Sequence, residues 1–374
     1  MRLVHLSSMP GFYGGEVCLL NLAAGMQRRG HDVTCIVRPD SRLAEELGRA
    51  GVATVTMPLV DWYEPFSVTR LGRWLKATGT QILHTHLPRD YFIAAAASLG
   101  TAVVNVGSRH QLTPMSHALV KRPFLRRFEA MIAVSEAVRR GVLASDVVPG
   151  RKVVTVPNGI ALDSADRHRE SLRALAGVPH RTPVIGFVGR LCPSKGLETL
   201  LEAGAILTKR WPELRIFVLG DAPGRQRYRR RLEELAAGLG LGNTVRFFGY
   251  VDQAGLACRD FDVQVISSQA EPFGLVTLEA MAQSRPVVVT DSGGSPEIVR
   301  DGVEGFLFRA GDADGLARRL DCLLDSPGLR REMGRKGKSR VEDHFTLDHM
   351  LDATEEVYRR ALGQVSLTED LRSA

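Results

Sequence analysis

Val184-Ile185-Gly186-Phe187-Val188, followed at once by Gly189-Arg190-Leu191-Cys192-Pro193-Ser194-Lys195-Gly196, decides how this chain is read. The first five residues form a short apolar run of buried-strand type, and the glycine after it marks a turn. The turn leads into the helical stretch Leu197–Leu207. This strand, turn and helix restart a scheme that the preceding half has already run once. Upstream, Leu3–Leu6, Val33–Val37, Ala53–Met57, Gln81–His84, Ala102–Val106, Met131–Val134 and Val153–Val156 read as strands. Helical stretches such as Val17–Arg28 lie between them, with apolar residues at Leu19, Leu20, Leu22, Ala23 and Met26. Downstream the series continues through Arg215–Leu219, Val245–Phe248, Val263–Ile266, Pro286–Val289 and Gly305–Phe308.

Alternating short strands and longer helices predict parallel sheets covered by helices. The expected fold class is α/β, with two doubly wound, Rossmann-like domains facing an interdomain cleft. The expected boundaries are residues 1–163 for an acceptor-side domain and 164–345 for a donor-binding domain. A polar linker near 161–183 joins them, and a final helix at 346–362 returns to the first domain. Such sheets bind ligands at the carboxyl ends of their strands.

Composition narrows the class. Hydrophobic content of 44% and charged content of 24% are those of a globular protein, which excludes disordered and fibrous classes. The five cysteines are scattered and never form a Cys-x-x-Cys pair, so neither a disulfide framework nor a zinc ribbon is expected. No apolar run reaches 18 residues, and Ser7, Ser8, Pro10 and Gly11 interrupt the amino-terminal strand. Neither a membrane span nor a signal peptide is expected. The expected location is the cytoplasm, with association at the inner face of the membrane. Residues 1–163 carry 19 basic and 12 acidic side chains, whereas the remainder carries 30 of each. The excess positive charge of the first half points to an anionic partner.

The chemistry concentrates in Glu271-Pro272-Phe273-Gly274-Leu275-Val276-Thr277-Leu278-Glu279-Ala280. This run follows a buried strand and opens a helix near Leu275. The N–H groups of Phe273, Gly274 and Leu275 then lie at a helix amino terminus, able to donate to sugar or phosphate oxygens. Glu279 is placed further along the helix, where a carboxylate can accept from vicinal ribose hydroxyls. A lone glutamate would be read as a solvated charge; two, eight apart around a Pro-Phe-Gly turn, are read as a site.

The Glu-x7-Glu spacing, that turn and the following Asp291-Ser292-Gly293-Gly294-Ser295-Pro296-Glu297 resemble the retaining glycosyltransferases of family four, which have the GT-B fold. The resemblance runs from Gly14-Gly15 to the helix ending near Leu362. It implies that Glu271 contacts the donor sugar and Glu279 holds the ribose. It also implies that Arg190 and Lys195, in the Gly189-Arg190-x4-Lys195-Gly196 pattern, neutralise a departing nucleoside diphosphate. By the same resemblance, Gly14 and Gly15 approach the donor phosphates, Val251 lies beside the nucleobase, and Asn158 belongs to a hinge signature. His110 resembles a histidine at the reaction centre, although its Ser108-Arg109-His110-Gln111 context departs from the family's usual one. The spacing of the Arg190–Lys195 loop is not that of a P-loop, and Gly11-Phe12-Tyr13-Gly14-Gly15 does not satisfy the dinucleotide fingerprint.

Three further features have two readings each. His84 and His86 alternate along a strand onto one face, as metal ligands would, but no third ligand is evident and a strand end facing the cleft is the alternative. Asp312-Ala313-Asp314 precedes a helix and reads as a cap rather than a metal motif. Lys121, Arg122, Arg126 and Arg127 interleave with Phe124, Leu125 and Phe128, which fits either a lipid interface or a half-buried helix with a basic face. Nucleic acid is a poor fit, because no stacking aromatics accompany the charge.

The expected function is retaining, metal-independent transfer of a hexose-type sugar from a nucleoside-diphosphate-sugar to a glycan or glycolipid acceptor. Lipopolysaccharide or another surface polysaccharide is the expected product, with no cofactor. The alternatives are an inactive nucleotide-sugar-binding or membrane scaffold subunit, or a phosphorylase or epimerase on the same fold.

Overall fold

The computed structural model describes residues 1–59, 65–115, 122–162, 171–222, 224, 226–252 and 254–364. The chain divides into two compact units, one of Met1–Ala161 together with the chain from Thr346 on, the other Leu162–Phe345.

The first unit contains a seven-stranded parallel sheet. Its strands are β1 (Arg2–Ser7), β2 (Asp32–Val37), β3 (Ala53–Thr56), β4 (Ile82–Thr85), β5 (Val104–Arg109), β6 (Phe128–Ala133) and β7 (Val153–Thr155). They lie in the order β3-β2-β1-β4-β5-β6-β7, so the order reverses at β1. That reversal is where such sheets place ligands. The core is built from Leu3, Val33, Cys35, Ile82, Val106 and Ile132 of the strands. Leu19, Leu22 and Met26 come from helix Gly14–Arg28, and Leu351, Val357 and Tyr358 from helix Leu347–Ala361.

The last helix is tied to the first by close packing and charge. A Cβ at Gly25 would lie 2.6 Å from Leu351 Cδ1, so any larger residue there would force Leu351 to shift. Arg29 pairs with Asp352 at 2.6 Å and with Asp348 at 3.3 Å. Where the chain leaves and re-enters this unit, Ile160 bridges Thr346 and the Leu347 N–H donates to the Ile160 carbonyl at 2.7 Å. A Cβ on Gly159 would stand 2.1 Å from the Thr346 carbonyl, so the glycine next to Asn158 permits the two chain segments to touch.

The second unit contains a six-stranded parallel sheet, β8 (Val184–Val188), β9 (Arg215–Leu219), β10 (Val245–Gly249), β11 (Val263–Ile266), β12 (Val287–Thr290) and β13 (Gly305–Phe308). The order is β10-β9-β8-β11-β12-β13, reversing at β8. Ile185, Phe187, Ile216, Val218, Val263, Val265 and Val288 fill its core with Leu197, Leu200 and Leu201 of helix Leu197–Leu207. These near-continuous apolar strands are what a sheet covered on both faces requires. Ahead of β8, Ser171 caps helix Leu172–Ala176, and Arg173 donates to the carbonyls of Thr182 and Asp260 and to the Asp262 carboxylate.

Two sequence expectations change. The helix expected from Val17 begins at Gly14, so the Gly14-Gly15 pair forms its first turn. The stretch 117–130 is not one helix: Arg122–Leu125 make a single short turn, and Phe128 already belongs to β6, fully buried.

Candidate functional site

In the second unit, the carboxyl ends of β8, β11 and β12 converge. Ser267 Oγ donates to the Lys195 carbonyl at 3.0 Å, and the Gln269 N–H donates to the Ser194 carbonyl at 2.9 Å. These bonds draw the β8 loop against the end of β11. Gly196 has φ of 60°, and a Cβ there would stand 2.2 Å from the Ser267 carbonyl. A side chain is excluded by both sterics and backbone conformation.

Lys195 Nζ then reaches Glu271 Oε2 at 2.6 Å, and Ser268 Oγ donates to the same oxygen at 2.9 Å. The Glu271 backbone is held from the other side. Its carbonyl accepts from the Gly294 N–H at 2.8 Å, and Gly293, with φ of 64°, leaves no room for a Cβ beside that carbonyl. Glu271 is therefore fixed by main chain and side chain together, ahead of a helix amino terminus. Gly274, with φ of 119°, is the residue before helix Leu275–Ala282, and Phe273 anchors the turn by packing its ring at 6.0 Å from that of Phe345. The N–H groups at this helix start lack intrahelical acceptors and present partial positive charge.

Glu279 is half-buried one turn further along that helix, where a Cβ on Gly255 would come within 3.2 Å of its carboxyl carbon. It forms no ion pair among the described residues, and burial pushes its carboxyl up to about 7. Arg190 is exposed in the loop after Gly189. Val251 follows Gly249 at the end of β10, half-buried beside the exposed Tyr250. Asp312 accepts from the Gly315 N–H at 2.8 Å and caps helix Ala313–Asp325, as its position before a helix predicts.

In the first unit, the N–H groups of Gly14 and Gly15 belong to a helix start, with Glu16 accepting from the Tyr13 N–H at 3.0 Å. A Cβ on Gly15 would meet nothing within 4 Å. The buried Asp90 accepts from the Ser8 N–H at 2.7 Å and from its hydroxyl, holding the segment just after β1; burial pushes its carboxyl up to about 6.

His110 follows β5 and joins a buried histidine group that the sequence showed only in part. His5 of β1 is the register partner of His84 in β4, with His86 two residues on. His5 therefore supplies the third imidazole that was not evident from His84-Thr85-His86. His5 Nδ1 lies 3.0 Å from His86 Nε2, and His84 bridges Tyr358 Oη at 2.6 Å and Ser108 Oγ at 2.8 Å. The ring of His110 stands 6.1 Å from that of His86. Burial lowers His5 to about 4, and burial with the adjacent Arg109 lowers His110 to about 4. His84 and His86 are held well below the usual imidazole range by burial and by one another. Burial thus favours the neutral form of all four.

Of the basic segment, Lys121 lies outside the described residues. Arg122 is committed to Asp146, donating to its carboxylate at 2.6 Å and its carbonyl at 2.7 Å, which removes it from the expected cationic face. Arg126 and Arg127 are exposed. No helix among the described residues is long and apolar enough to cross a membrane.

Residues 168–340 match the family model described as glycosyl transferases group 1, and residues 12–164 match that of glycosyltransferase family 4. The phosphatidyl-myo-inositol mannosyltransferase of Mycobacterium leprae is 31% identical over 349 residues, covering 89% of each chain. The lipopolysaccharide core biosynthesis glycosyltransferase LpsE of Rhizobium meliloti is 27% identical, covering 91% of this chain and 94% of that protein. Among solved structures, a glycosyltransferase from Rickettsia africae superposes with a TM-score of 0.88 at 21% identity, over 97% of this chain and 99% of that one. HepE of Anabaena, in complex with UDP-glucose, superposes with a TM-score of 0.85 at 23% identity, over 96% and 100%.

Proposed function

The chain belongs to glycosyltransferase family 4, with the two parallel-sheet α/β units of the GT-B fold, and from that membership we propose that it transfers a hexose-type sugar from a nucleoside-diphosphate-sugar with retention of anomeric configuration. The observation that carries this reading is the Lys195–Glu271 pair at a helix amino terminus. A cation, a carboxylate and the N–H groups of a helix start, in neighbouring loops, are groups that a sugar diphosphate can use.

In this reading the donor diphosphate takes Lys195 from Glu271, which frees the carboxylate to accept from sugar hydroxyls. Glu279 accepts from the ribose, and Val251 lies beside the base. As the bond between sugar and diphosphate breaks, negative charge grows on the leaving oxygens. Arg190, Lys195 and the N–H groups of Phe273, Gly274 and Leu275 offset it. Those fixed positive charges are the reason the proposed transfer is metal-independent and uses no cofactor. The acceptor hydroxyl attacks the oxocarbenium-like carbon from the face the diphosphate leaves, and the leaving phosphate oxygen takes its proton. By the same family membership, Gly14, Gly15 and Asn158 are proposed donor-binding residues, and His110 a neutral hydrogen-bonding group at the reaction centre.

The proposed acceptor is a hydroxyl of a cell-envelope glycan or lipid-linked saccharide. Support comes from relatives named for phosphatidyl-myo-inositol mannosylation and lipopolysaccharide core biosynthesis. UDP-glucose, bound by Anabaena HepE, supports a uridine donor as the first to try. A peripheral contact of Lys121, Arg126 and Arg127 with an anionic cytoplasmic leaflet belongs to the same proposal.

Proton NMR of the product formed from an α-linked donor tests the chemistry. An α-anomeric product supports retention, and a β-anomeric product overturns it.

A further inference from the structure

Outside the donor site, the first unit gathers three imidazoles from two adjacent strands. His5, His84 and His86 are 0%, 1% and 5% exposed, and one ring nitrogen of each lies within 4.8 Å of the others. We propose that these three residues form a binding site for a transition metal ion of the zinc class, a site distinct from the donor-binding residues and independent of the donor's identity.

The first ground is the pairing of His5 with His86. His5 Nδ1 faces His86 Nε2 at 3.0 Å, deep in the fold, with one proton between the two nitrogens. An ion in that place takes a lone pair from each ring, and the ring that had donated moves its proton to its outward nitrogen, so that His5 Nε2 and His86 Nδ1 both carry hydrogen.

The second is geometry. Nitrogens about 2.0–2.1 Å from a tetrahedral ion lie roughly 3.3 Å from one another. The His5–His86 separation is already near that value, and a ring nitrogen of His84 lies within 4.8 Å of both. The third is the surroundings. His84 holds Tyr358 on Nδ1 and Ser108 on Nε2. When Nε2 turns to the ion, the Ser108 hydroxyl is released and Tyr358 stays, in the second-shell position that orients a metal-bound imidazole. An all-imidazole set suits zinc, cobalt, nickel or copper and is unsuited to magnesium or calcium, which take oxygen ligands.

The ion would join the carboxyl ends of β1 and β4 beneath helix Leu347–Ala361, so its expected effect is on the first unit's stability. Untagged protein, stripped with a chelator and dialysed, is titrated with zinc chloride by calorimetry and with cobalt chloride by visible absorption. The expected result is one equivalent of either metal, a tetrahedral cobalt spectrum and a raised melting temperature. His5→Gln and His86→Gln abolish all three, Tyr358→Phe weakens affinity by about 10–100-fold, and His349→Gln, at an exposed residue, changes nothing. X-ray absorption on zinc-loaded wild type counts the imidazoles directly, so the test survives a variant that fails to fold. No saturable uptake by wild type, uptake unchanged in both glutamine variants, or a zinc shell with fewer than three imidazoles overturns the proposal.

Discussion

Lys195 Nζ and Glu271 Oε2 lie 2.6 Å apart, joining the loop after β8 to the turn after β11. The two side chains are 28% and 14% exposed, so the pair is partly screened and contributes little to stability, up to about 1 kcal/mol. Its importance is positional: each group is held where a sugar diphosphate would claim it. Lys195→Ala should therefore leave the melting temperature nearly unchanged while weakening nucleoside-diphosphate binding by about 1.5–3 kcal/mol, the range of a hydrogen bond to a charged group. Glu271→Gln should keep diphosphate binding and lower kcat by roughly 100-fold or more. Calorimetry and steady-state kinetics on the two variants read the difference.

Glu279 gives the account a pH signature. Its carboxyl lies at about 7 in the fold against an ordinary 4.5, because burial disfavours the charged form. Between those values the folded chain holds a proton that the unfolded chain has released, so this group's contribution to stability falls as pH rises from 4.5 to 7. The ionised carboxylate is the better acceptor for ribose hydroxyls. Nucleotide affinity should therefore rise between pH 6 and pH 8 and level off above. Glu279→Gln should bind more weakly and flatten that profile in calorimetric titrations.

The glycines separate structural from functional demands. At Gly293, φ of 64° and a Cβ position 2.1 Å from the Glu271 carbonyl both oppose substitution. Gly293→Ala should cost at least about 2 kcal/mol and displace Glu271. Gly15 has open space around its Cβ position and lies in the first helical turn. Gly15→Ala should leave stability within about 1 kcal/mol of wild type. A loss of turnover in that variant, measured beside an unchanged denaturation curve, marks the approach of a ligand to the backbone.

Tyr358 is fully buried, and its hydroxyl is the Nδ1 partner of His84. Tyr358→Phe should destabilise the protein by about 1–3 kcal/mol, because a buried ring nitrogen loses its partner. Urea denaturation followed by circular dichroism measures it.

The strands were legible because a sheet buried on both faces demands apolar runs, and β8, β9, β11 and β13 begin and end where those runs do. The start of the first helix was not, since two glycines look like a loop, and it is the Glu16 carboxylate, accepting from the Tyr13 N–H, that caps the turn they open. Phe124, Leu125 and Phe128 carry a helix-like spacing, but pairing with Asn105 of β5 claims Phe128 for a strand. At the site, Glu271, Lys195 and Gly274 announce themselves through residue type and spacing. Ser267 and Ser268, which hold them, are ordinary serines after a strand and gave no signal. His5 lies 79 residues before His84, and only the crossover that pairs β1 with β4 makes them neighbours.

Calorimetric titration of UDP, GDP, ADP and dTDP into the wild-type protein and into Lys195→Ala asks whether a nucleotide donor binds at the Lys195–Glu271 pair. One nucleotide should bind the wild type with unit stoichiometry, add about 2.7 kcal/mol of stability at 100 times its dissociation constant, and lose most of that affinity in the variant. If all four fail to bind folded protein, or if the bound nucleotide is indifferent to Lys195, the donor site is not where Lys195 meets Glu271 and the account is wrong.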